Sequence, residues 1–178
     1  MAAYEPFHNE PATRGHMPRW AAPPLWIVGL LLIHVALPWA ISRTRVRHGW
    51  VKGRPRRGNL FGLILVASGM AMIAWTTGLH FMAAPGGWEF ERTPRYMLVK
   101  GPYRFCRNPT YLLEIVMWLG WAIFFGSCPV LVASVAWWIF FAFIIVPDEE
   151  RQLEARFGET YLQYKSEVPR WLRMPRPS

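Results

Sequence analysis

Charged residues are almost absent from four long stretches of this chain, and this segregation limits the possible folds more than any other feature. The four stretches, residues 23–42, 60–84, 110–126 and 129–146, together contain one charged side chain, Glu114. Soluble domains instead interleave polar and apolar residues at the period of a helix or strand. The pattern therefore excludes a soluble globular domain, a disordered chain and a disulfide scaffold. A length of 178 residues is enough for one domain.

The apolar stretches predict an all-α, polytopic integral membrane protein with about four transmembrane helices. A helix needs ~20 apolar residues to cross a ~30 Å hydrocarbon layer, and the first two stretches each provide that number. The last two form one apolar run that is broken by Gly126-Ser127-Cys128-Pro129, a strong turn signal. We interpret this run as two antiparallel spans joined by a tight turn. The alternative is a buried hairpin in a large soluble core.

The distribution of Lys and Arg bears on orientation. With four spans, the N-terminus, the 85–109 loop and the C-terminal tail lie on one side, with 13 of the 20 basic residues. The positive-inside rule then places the 85–109 loop and the C-terminal tail in the cytoplasm, and we expect a bacterial inner membrane. The 43–57 loop holds the other seven and argues for the opposite orientation, unless it includes a re-entrant or extra segment. We expect this loop to meet anionic lipid headgroups.

Cysteine and histidine residues are few and scattered. Cys106 and Cys128 are predicted at opposite membrane surfaces, too far apart for a disulfide, and no Cys/His set has metal-ligand spacing. His34 and His80 lie in or near spans, where ionisable groups are often functional. The plainer interpretation of each is a neutral imidazole bonded to a neighbouring carbonyl.

The tail has a different character from the spans. Residues 148–165 predict one amphipathic helix whose apolar stripe consists of Leu153, Phe157, Tyr161 and Tyr164. Extended backwards, the stripe reaches Glu150 and Glu149, so both carboxylates should point to the apolar side. Acidic groups aimed at a low-dielectric region are costly unless something binds them. The pair is therefore a candidate site.

Two polar stretches flank the helical hairpin formed by the last two apolar stretches. They should be neighbours, because a hairpin returns the chain to the side of the membrane that it left. Residues 95–111 contribute Lys100, Arg104 and Arg107, and residues 148–164 contribute Glu149, Glu150 and Glu154. The opposed charges predict a small cleft at the boundary between water and lipid. The alternative is a set of interfacial anchors and surface ion pairs, each worth ~0–1 kcal/mol.

The motifs within these stretches resemble a known family. The first motif is Gly101-Pro102-Tyr103-Arg104-Phe105-Cys106-Arg107-Asn108-Pro109-Thr110-Tyr111. The second follows some 40 residues later and is a helix with Glu149-Glu150, Phe157-Gly158 and Tyr161. Together they are similar to the isoprenylcysteine carboxyl methyltransferase and phospholipid methyltransferase family of integral membrane enzymes. Val168-Pro169-Arg170 also fits. The resemblance covers residues 94–171, which would form the core of a single domain over 1–178, after a tail at 1–22 and two spans at 23–84. Those spans match in hydropathy alone.

The resemblance implies methyl transfer from S-adenosyl-L-methionine to a lipophilic acceptor, either a carboxylate, a thiol or an amine. The residues that it assigns to the cofactor are Val99, Gly101, Pro102, Tyr103, Arg104, Arg107, Asn108, Pro109, Tyr111, Glu149 and Glu150. Asn108 stands where many members have His, which argues against proton transfer at that position. Leu113 stands where Gly is usual, so the substrate entrance should differ.

Catalytic roles are assigned to Glu150, as base or acceptor-orienting group, and to Arg107. Glu114 follows Tyr111 by about one helical turn and is a weaker candidate for contact with the acceptor or for the base. Its alternative role is to pair with Arg107 or with a basic residue on another span.

Two rival functions share parts of the pattern. One is an NADPH-dependent membrane reductase of the sterol-reductase type, although those enzymes typically have more spans. The other is a non-catalytic protein that binds anionic lipid through the 43–57 loop. Nucleic-acid binding is not expected, because the basic residues concentrate beside a span and no binding motif accompanies them.

Overall fold

The computed structural model describes residues 22–83 and 96–172, and this part of the chain is mostly helical. Helix α1 covers residues 22–42 in three consecutive segments, which are Ala22–Leu31, a π-helical turn at Leu32–Ala36, and Leu37–Ser42. The other four helices are α2 (Arg57–Ala83), α3 (Pro109–Phe125), α4 (Cys128–Phe157, with a π-helical turn at Phe141–Ile145) and α5 (Glu159–Glu167). The remaining elements are a short antiparallel pair, β1 (Trp50–Val51) and β2 (Arg54–Pro55), and one turn of 3-10 helix at Gly101–Arg104.

In the described part of the chain, three helices are long and apolar enough to cross a membrane, namely Pro24–Ser42, Arg57–Ala83 and Cys128–Phe157. Helix α3 is apolar too, but its 17 residues fall below the ~20 of a typical span. The prediction of a helical membrane protein is confirmed at this level, and the count of four spans stays a prediction. The N-terminal tail and residues 94 and 95 of the predicted core lie outside the described residues.

Both π-helical turns come shortly before a proline within a longer helix. Pro38 follows the turn at Leu32–Ala36, and Pro147 follows the turn at Phe141–Ile145. A proline lacks the N–H of the helical ladder, and its ring clashes with the carbonyl four residues earlier. A wider turn at that carbonyl relieves the clash, so both helices continue past their prolines.

Helices α2 and α3 pack closely through glycines. A Cβ atom at Gly62 would meet the backbone of Gly120 and Phe124, and one at Gly69 would meet Met117. Small residues allow such close approach between helices in a membrane. The core around this contact contains Val66, Ile73, Met117, Trp118, Ala122 and Val130.

The end of the bundle that holds residues 43–56 and the α3–α4 turn is called here the turn end. Gly126 has φ 56° there, and the Ser127 hydroxyl caps α4 by accepting from Val130 N–H at 3.4 Å. Residues 43–56 form no re-entrant helix; they contain the β1–β2 hairpin and fold onto this turn. The His48 N–H donates to the Gly126 carbonyl at 2.8 Å, and Trp50 Nε1 donates to the Phe124 carbonyl at 2.9 Å. The re-entrant segment is therefore corrected to a docked hairpin.

The opposite end, which holds residues 96–109 and 148–172, is called the tail end. The prediction of one amphipathic helix over residues 148–165 is wrong in its boundaries. Helix α4 continues without a break to Phe157, and Gly158 then ends it with φ 52° and ψ −130°, before α5 begins. Glycine adopts this backbone conformation without steric cost. The predicted apolar stripe is preserved across the break, because Tyr161 and Tyr164 are buried with Leu153 and Phe157 packed against them.

Candidate functional site

The centre of the tail end is the carboxylate of Glu150, which lies between two guanidinium groups. Arg107 Nη1 is 3.0 Å from Oε1, while Arg170 reaches Oε1 with Nε at 3.1 Å and Oε2 with Nη2 at 2.6 Å. Glu150 is 4% exposed and the Arg107 side chain 9%. A carboxylate this deeply buried requires such partners. The hydrogen bonds that Arg170 donates to Glu150 raise the pKa of the Arg170 guanidinium.

Backbone contacts hold the same two parts of the chain together. The Arg107 N–H donates to the Pro169 carbonyl at 3.0 Å, and Asn108 Nδ2 donates to the Arg170 carbonyl at 3.2 Å. The Tyr164 hydroxyl donates to the Tyr103 carbonyl at 2.7 Å. The contacts of Arg107 with Glu150 and of Tyr103 with Tyr164 show that residues 95–111 and 148–164 are neighbours, as predicted. The buried side-chain amide of Asn108 thus holds the backbone of Arg170 in place.

Glu149 lies next to this centre in a different environment. Tyr111 donates its hydroxyl to Glu149 Oε2 at 2.9 Å, and the Tyr111 ring packs on Phe141 with centroids 4.7 Å apart. Tyr111 is therefore the hydrogen-bond donor to Glu149 within the described residues. Of the two adjacent carboxylates, Glu150 is enclosed by guanidinium groups and Glu149 retains capacity to accept further hydrogen bonds.

A second polar cluster surrounds the Tyr103 hydroxyl. It lies 3.0 Å from His80 Nε2 and 3.4 Å from Thr110 Oγ1, and His80 Nδ1 lies 2.9 Å from the Tyr96 hydroxyl. His80 is therefore bonded to two tyrosine hydroxyls rather than to a carbonyl. Burial raises the pKa of Tyr103 to about 12, so this phenol is a neutral hydrogen-bonding group at physiological pH.

Burial also keeps two further tyrosine hydroxyls and one thiol of the tail end neutral. Burial and, to a lesser extent, the Glu150 charge raise the pKa of Tyr161 to about 12. Burial raises the pKa of Tyr164 and that of the Cys106 thiol as well. The tail end thus combines neutral hydroxyls with one enclosed ion cluster. Within the described residues, no group of three or more His, Cys, Asp or Glu side chains could hold a metal ion.

The intramembrane acid Glu114 has a partner on another helix. Its Oε1 is 2.9 Å from His34 Nε2, and Trp118 Nε1 donates to His34 Nδ1 at 3.3 Å. An indole can only donate, so Nδ1 accepts and the proton of the imidazole is on Nε2, facing the carboxylate. Of the two predicted roles, pairing with a basic residue on another span is the one that the structure shows. His34, 5% exposed, bonds a carboxylate and not a carbonyl.

Not every predicted site residue joins the cluster. Arg104 and Lys100 are exposed on the surface of the tail end, and Glu154 pairs with Lys165 instead of an arginine of the 3-10 region. Gly101 has φ 59°, and a Cβ there would press on Trp75 and Leu79, so it allows the 3-10 turn to lie against α2. Pro102 and Pro109 are buried and lie before and after Arg107 in the chain.

Sequence reasoning missed the roles of Arg170 and His80. Arg170 was visible only as part of the Val168-Pro169-Arg170 motif, which carries no sign of its partner. His80 lies about 20 residues before Tyr103, and no spacing rule links a helix end to a loop residue. Arg107 adds one further unexplained feature, because its Nε is buried with no acceptor within the described residues. A buried guanidinium N–H of this kind is available to a ligand oxygen.

The family model for phospholipid methyltransferases matches residues 58–160, which extends upstream of the predicted core into α2. A steroid 5-alpha-reductase DET2 of Solanum lycopersicum is 29% identical over 112 residues, 60% of this chain and 39% of that protein. An uncharacterized protein of Haemophilus influenzae is 35% identical over 68 residues, 35% of this chain and 98% of that protein.

These matches differ in what they establish. The chain matches about two fifths of the length of the reductase, so that similarity is partial. The family model covers more than half of this chain and includes Arg107, Tyr111 and the two adjacent glutamates. The resemblance predicted from the motifs is therefore confirmed, and the chain is a membrane protein that belongs to the phospholipid methyltransferase family.

Proposed function

We propose that this protein transfers a methyl group from S-adenosyl-L-methionine to a lipophilic or membrane-associated acceptor at the tail end. Membership of a methyltransferase family is the observation that carries the proposal. The acceptor is a carboxylate, a thiol or an amine. The polar cluster supports the assignment, because it lies where spans meet a water-facing tail, and a lipid-borne group can reach such a position from the membrane.

The residues of the tail end fit the parts of this cofactor. When bound, S-adenosyl-L-methionine supplies an electrophilic methyl group on a cationic sulfonium. Glu149 can accept hydrogen bonds from an ammonium or ribose hydroxyls, and the exposed Arg104 can bind a carboxylate in bidentate fashion. The unpartnered Nε of Arg107 offers a buried donor. The rings of Tyr103 and Tyr111 offer aromatic faces to a cation, worth ~0.5–2 kcal/mol each.

The geometry favours Glu149 over Glu150 as the group that accepts a proton. Glu150 has both oxygens bound by guanidinium groups, which leave little capacity for another ligand. We therefore assign Glu150 and Arg107 a positioning role, and Glu149 the role of base for acceptors that must lose a proton. A carboxylate acceptor is already ionised and needs no base. Holding the reactants in line supplies most of the rate in either case.

We infer that the tail end faces the cytoplasm of a bacterial inner membrane. Most Lys and Arg residues lie on this side of the predicted topology, and cytoplasmic loops carry the excess of these residues. Cys128 is exposed at the opposite end and reports on this orientation. In intact cells, a membrane-impermeant thiol reagent should label Cys128. Protection until the membrane is opened would indicate the reverse orientation.

A second candidate function is an NADPH-dependent reduction, which the partial similarity to a steroid 5-alpha-reductase favours. The family match extends over the site residues and carries more weight. Both functions need an adenosine-containing cofactor at the tail end. A third candidate, lipid binding without catalysis, does not require the ordered Glu149–Tyr111 pair. Direct binding of each cofactor separates the three.

The deciding experiment is calorimetry on the detergent-purified protein with S-adenosyl-L-methionine and, separately, with NADPH. We expect binding of the former, weakened about tenfold by Glu149→Gln or Tyr111→Phe through loss of a charge-assisted contact. Glu167→Gln removes an exposed carboxylate on α5 and serves as the matched control. Binding of NADPH in place of S-adenosyl-L-methionine would establish the reductase. Absence of both, with the fold intact by circular dichroism, would leave the non-catalytic candidate.

The acceptor class is tested with labelled methyl groups. Protein and labelled S-adenosyl-L-methionine are incubated separately with three acceptors. These are prenylcysteine, which offers a carboxylate, a phospholipid amine and a small thiol. Loss of labelling in Glu149→Gln for the amine or thiol but not for the carboxylate would support Glu149 as a base. Equal loss for every acceptor would assign Glu149 to cofactor binding alone.

A further inference from the structure

The turn end contains an apolar groove of about 640 Å³, within the range of ligand pockets in proteins. It lies between the second half of α1, the end of α3 and the docked loop. Its walls include five aromatic side chains, those of Trp39, Trp50, Trp121, Phe124 and Phe125. On the α1 side, Leu31, Val35 and Ala36 complete an apolar surface. A hydrocarbon chain matches this lining.

Two guanidinium groups lie over the aromatic side chains of the groove. Arg47, itself part of the lining, lies over the rings of Trp50 at 5.0 Å and Phe125 at 4.8 Å. Arg43 lies over the ring of Trp39 at 4.8 Å. Arg47 Nη2 also donates to Ser42 Oγ at 2.7 Å, which fixes the side chain beside the groove. Each guanidinium is thus held on an aromatic face. Arg47 uses Nε and Nη2 for the carbonyl and hydroxyl of Ser42, which leaves Nη1 to donate to an anion.

Within the described residues, the basic groups at this end have no acidic counterpart nearby. The segment 43–57 contains seven Lys and Arg residues and no Asp or Glu. The acidic residues within the described ranges are Glu114, inside the bundle, and those between 148 and 167, at the tail end. The positive charge at the turn end is therefore not neutralised by the described carboxylates.

The geometry points to a binding site for an anionic glycerophospholipid, with one acyl chain in the groove and the phosphate on Arg43 and Arg47. Such a lipid combines an apolar chain with an anionic group, as the groove and its two arginines require. Inorganic phosphate lacks the chain, and a zwitterionic lipid has no net charge to offer. This site lies at the opposite end from the proposed methyl transfer and does not depend on it.

The test uses the full chain in phosphatidylcholine nanodiscs and quenching of tryptophan fluorescence by lipids with brominated acyl chains. Three groove residues are tryptophans, so a chain bound there quenches their emission. Brominated phosphatidylglycerol should reach half-maximal quenching at a mole fraction about tenfold lower than brominated phosphatidylcholine. Equal quenching by the two lipids would overturn the proposal.

Two pairs of variants locate the site. Arg43→Gln/Arg47→Gln should abolish the preference for phosphatidylglycerol, whereas Lys52→Gln/Arg54→Gln removes the same charge from the hairpin and should preserve it. Ala36→Phe fills the groove without changing any charge and should also abolish the preference. Ala40→Phe, on the exposed surface of α1 outside the groove, should not.

The steric pair decides the outcome if the arginine variant fails to fold, because Arg47 also bonds Ser42. Retained preference in Ala36→Phe would overturn the proposal. Equal loss in both charge variants would also overturn it, because it would indicate diffuse attraction to the basic loop.

Discussion

Arg170 donates hydrogen bonds to both carboxylate oxygens of Glu150, from Nε to Oε1 at 3.1 Å and from Nη2 to Oε2 at 2.6 Å. Glu150 is on the last turns of α4, and Arg170 is twenty residues further along, after α5. The ion pair closes the tail back onto the helix from which it emerged. It also shares Glu150 with Arg107, so three parts of the chain meet at one buried carboxylate.

Arg170→Ala should destabilise the protein by about 1–3 kcal/mol, because the buried Glu150 loses a bidentate partner. The Arg170 side chain is 39% exposed, and Arg107 remains in place, so the loss should stay below that of a fully broken buried pair. Arg151→Ala removes an exposed pair with Asp148 and should cost about 0–1 kcal/mol. Thermal unfolding in mild detergent measures the destabilisation caused by each variant. Equal destabilisation by the two variants would contradict a stabilising role of the Arg170–Glu150 pair.

Glu114→Leu should be more harmful than Glu114→Gln. Leucine leaves the His34 Nε2 proton buried without an acceptor, at a cost of about 1–3 kcal/mol, while glutamine keeps a carbonyl oxygen at that position. Unfolding midpoints in detergent compare the two variants. If the Glu114→Leu variant were as stable as the wild type, the contact between α1 and α3 would not depend on the Glu114–His34 pair.

Gly62→Ala should destabilise the bundle by about 1–3 kcal/mol, because the new methyl group would meet the backbone of α3. Gly78→Ala, in the same helix, has open space around its Cβ position. It should be neutral or stabilising by up to ~1 kcal/mol, since alanine favours helix more than glycine. The sign difference between the two variants is the measurement that tests the close packing of α2 and α3.

The two cysteines should react very differently with iodoacetamide. Cys128 is exposed, whereas Cys106 is buried and burial raises the pKa of its thiol. Alkylation requires the thiolate, so at about pH 8 a raised pKa keeps Cys106 protonated and slow. Mass spectrometry should show one modified residue in the folded protein and two after denaturation. Rapid modification of both in the folded state would contradict the burial of Cys106.

Stability should fall at alkaline pH through the buried tyrosines. Burial raises the pKa of Tyr103 and of Tyr161 from 10.0 to about 12, so the folded state binds these protons more tightly than the unfolded chain. Their contribution is complete below pH 10 and is lost as the pH rises toward about 12. Denaturant unfolding at stepwise pH measures the loss, and Tyr103→Phe should make it smaller.

Much of this fold could be predicted because its main signals are local. Blocks of apolar residues define the long helices, and Gly126 with Ser127 marks the turn that joins α3 to α4. The apolar stripe of the tail also predicted that Glu150 points inward, which the structure shows at 4% exposure. Each of these features depends on residues that are neighbours in sequence.

The identities of two ion-pair partners could not be predicted, because the paired residues lie far apart in sequence. Glu114 pairs with His34, some 80 residues earlier, and Glu150 pairs with Arg170 across a helix break. The break itself was overlooked, because Gly158 lies inside a stripe that keeps its periodicity on both sides. The two π-helical turns precede prolines that hydropathy alone treats as ordinary span residues.

The unbroken course of α4 makes the site responsive to the thickness of the bilayer. Thirty residues at ~1.5 Å each form a rod of about 45 Å, fixed at one end by the Ser127 cap and carrying Glu149 and Glu150 near the other. A rod of fixed length adapts to a thinner or thicker membrane by tilting. Tilting moves the two carboxylates relative to the lipid headgroups. The turnover of a membrane-borne acceptor should therefore depend on acyl-chain length, even when the headgroup is unchanged.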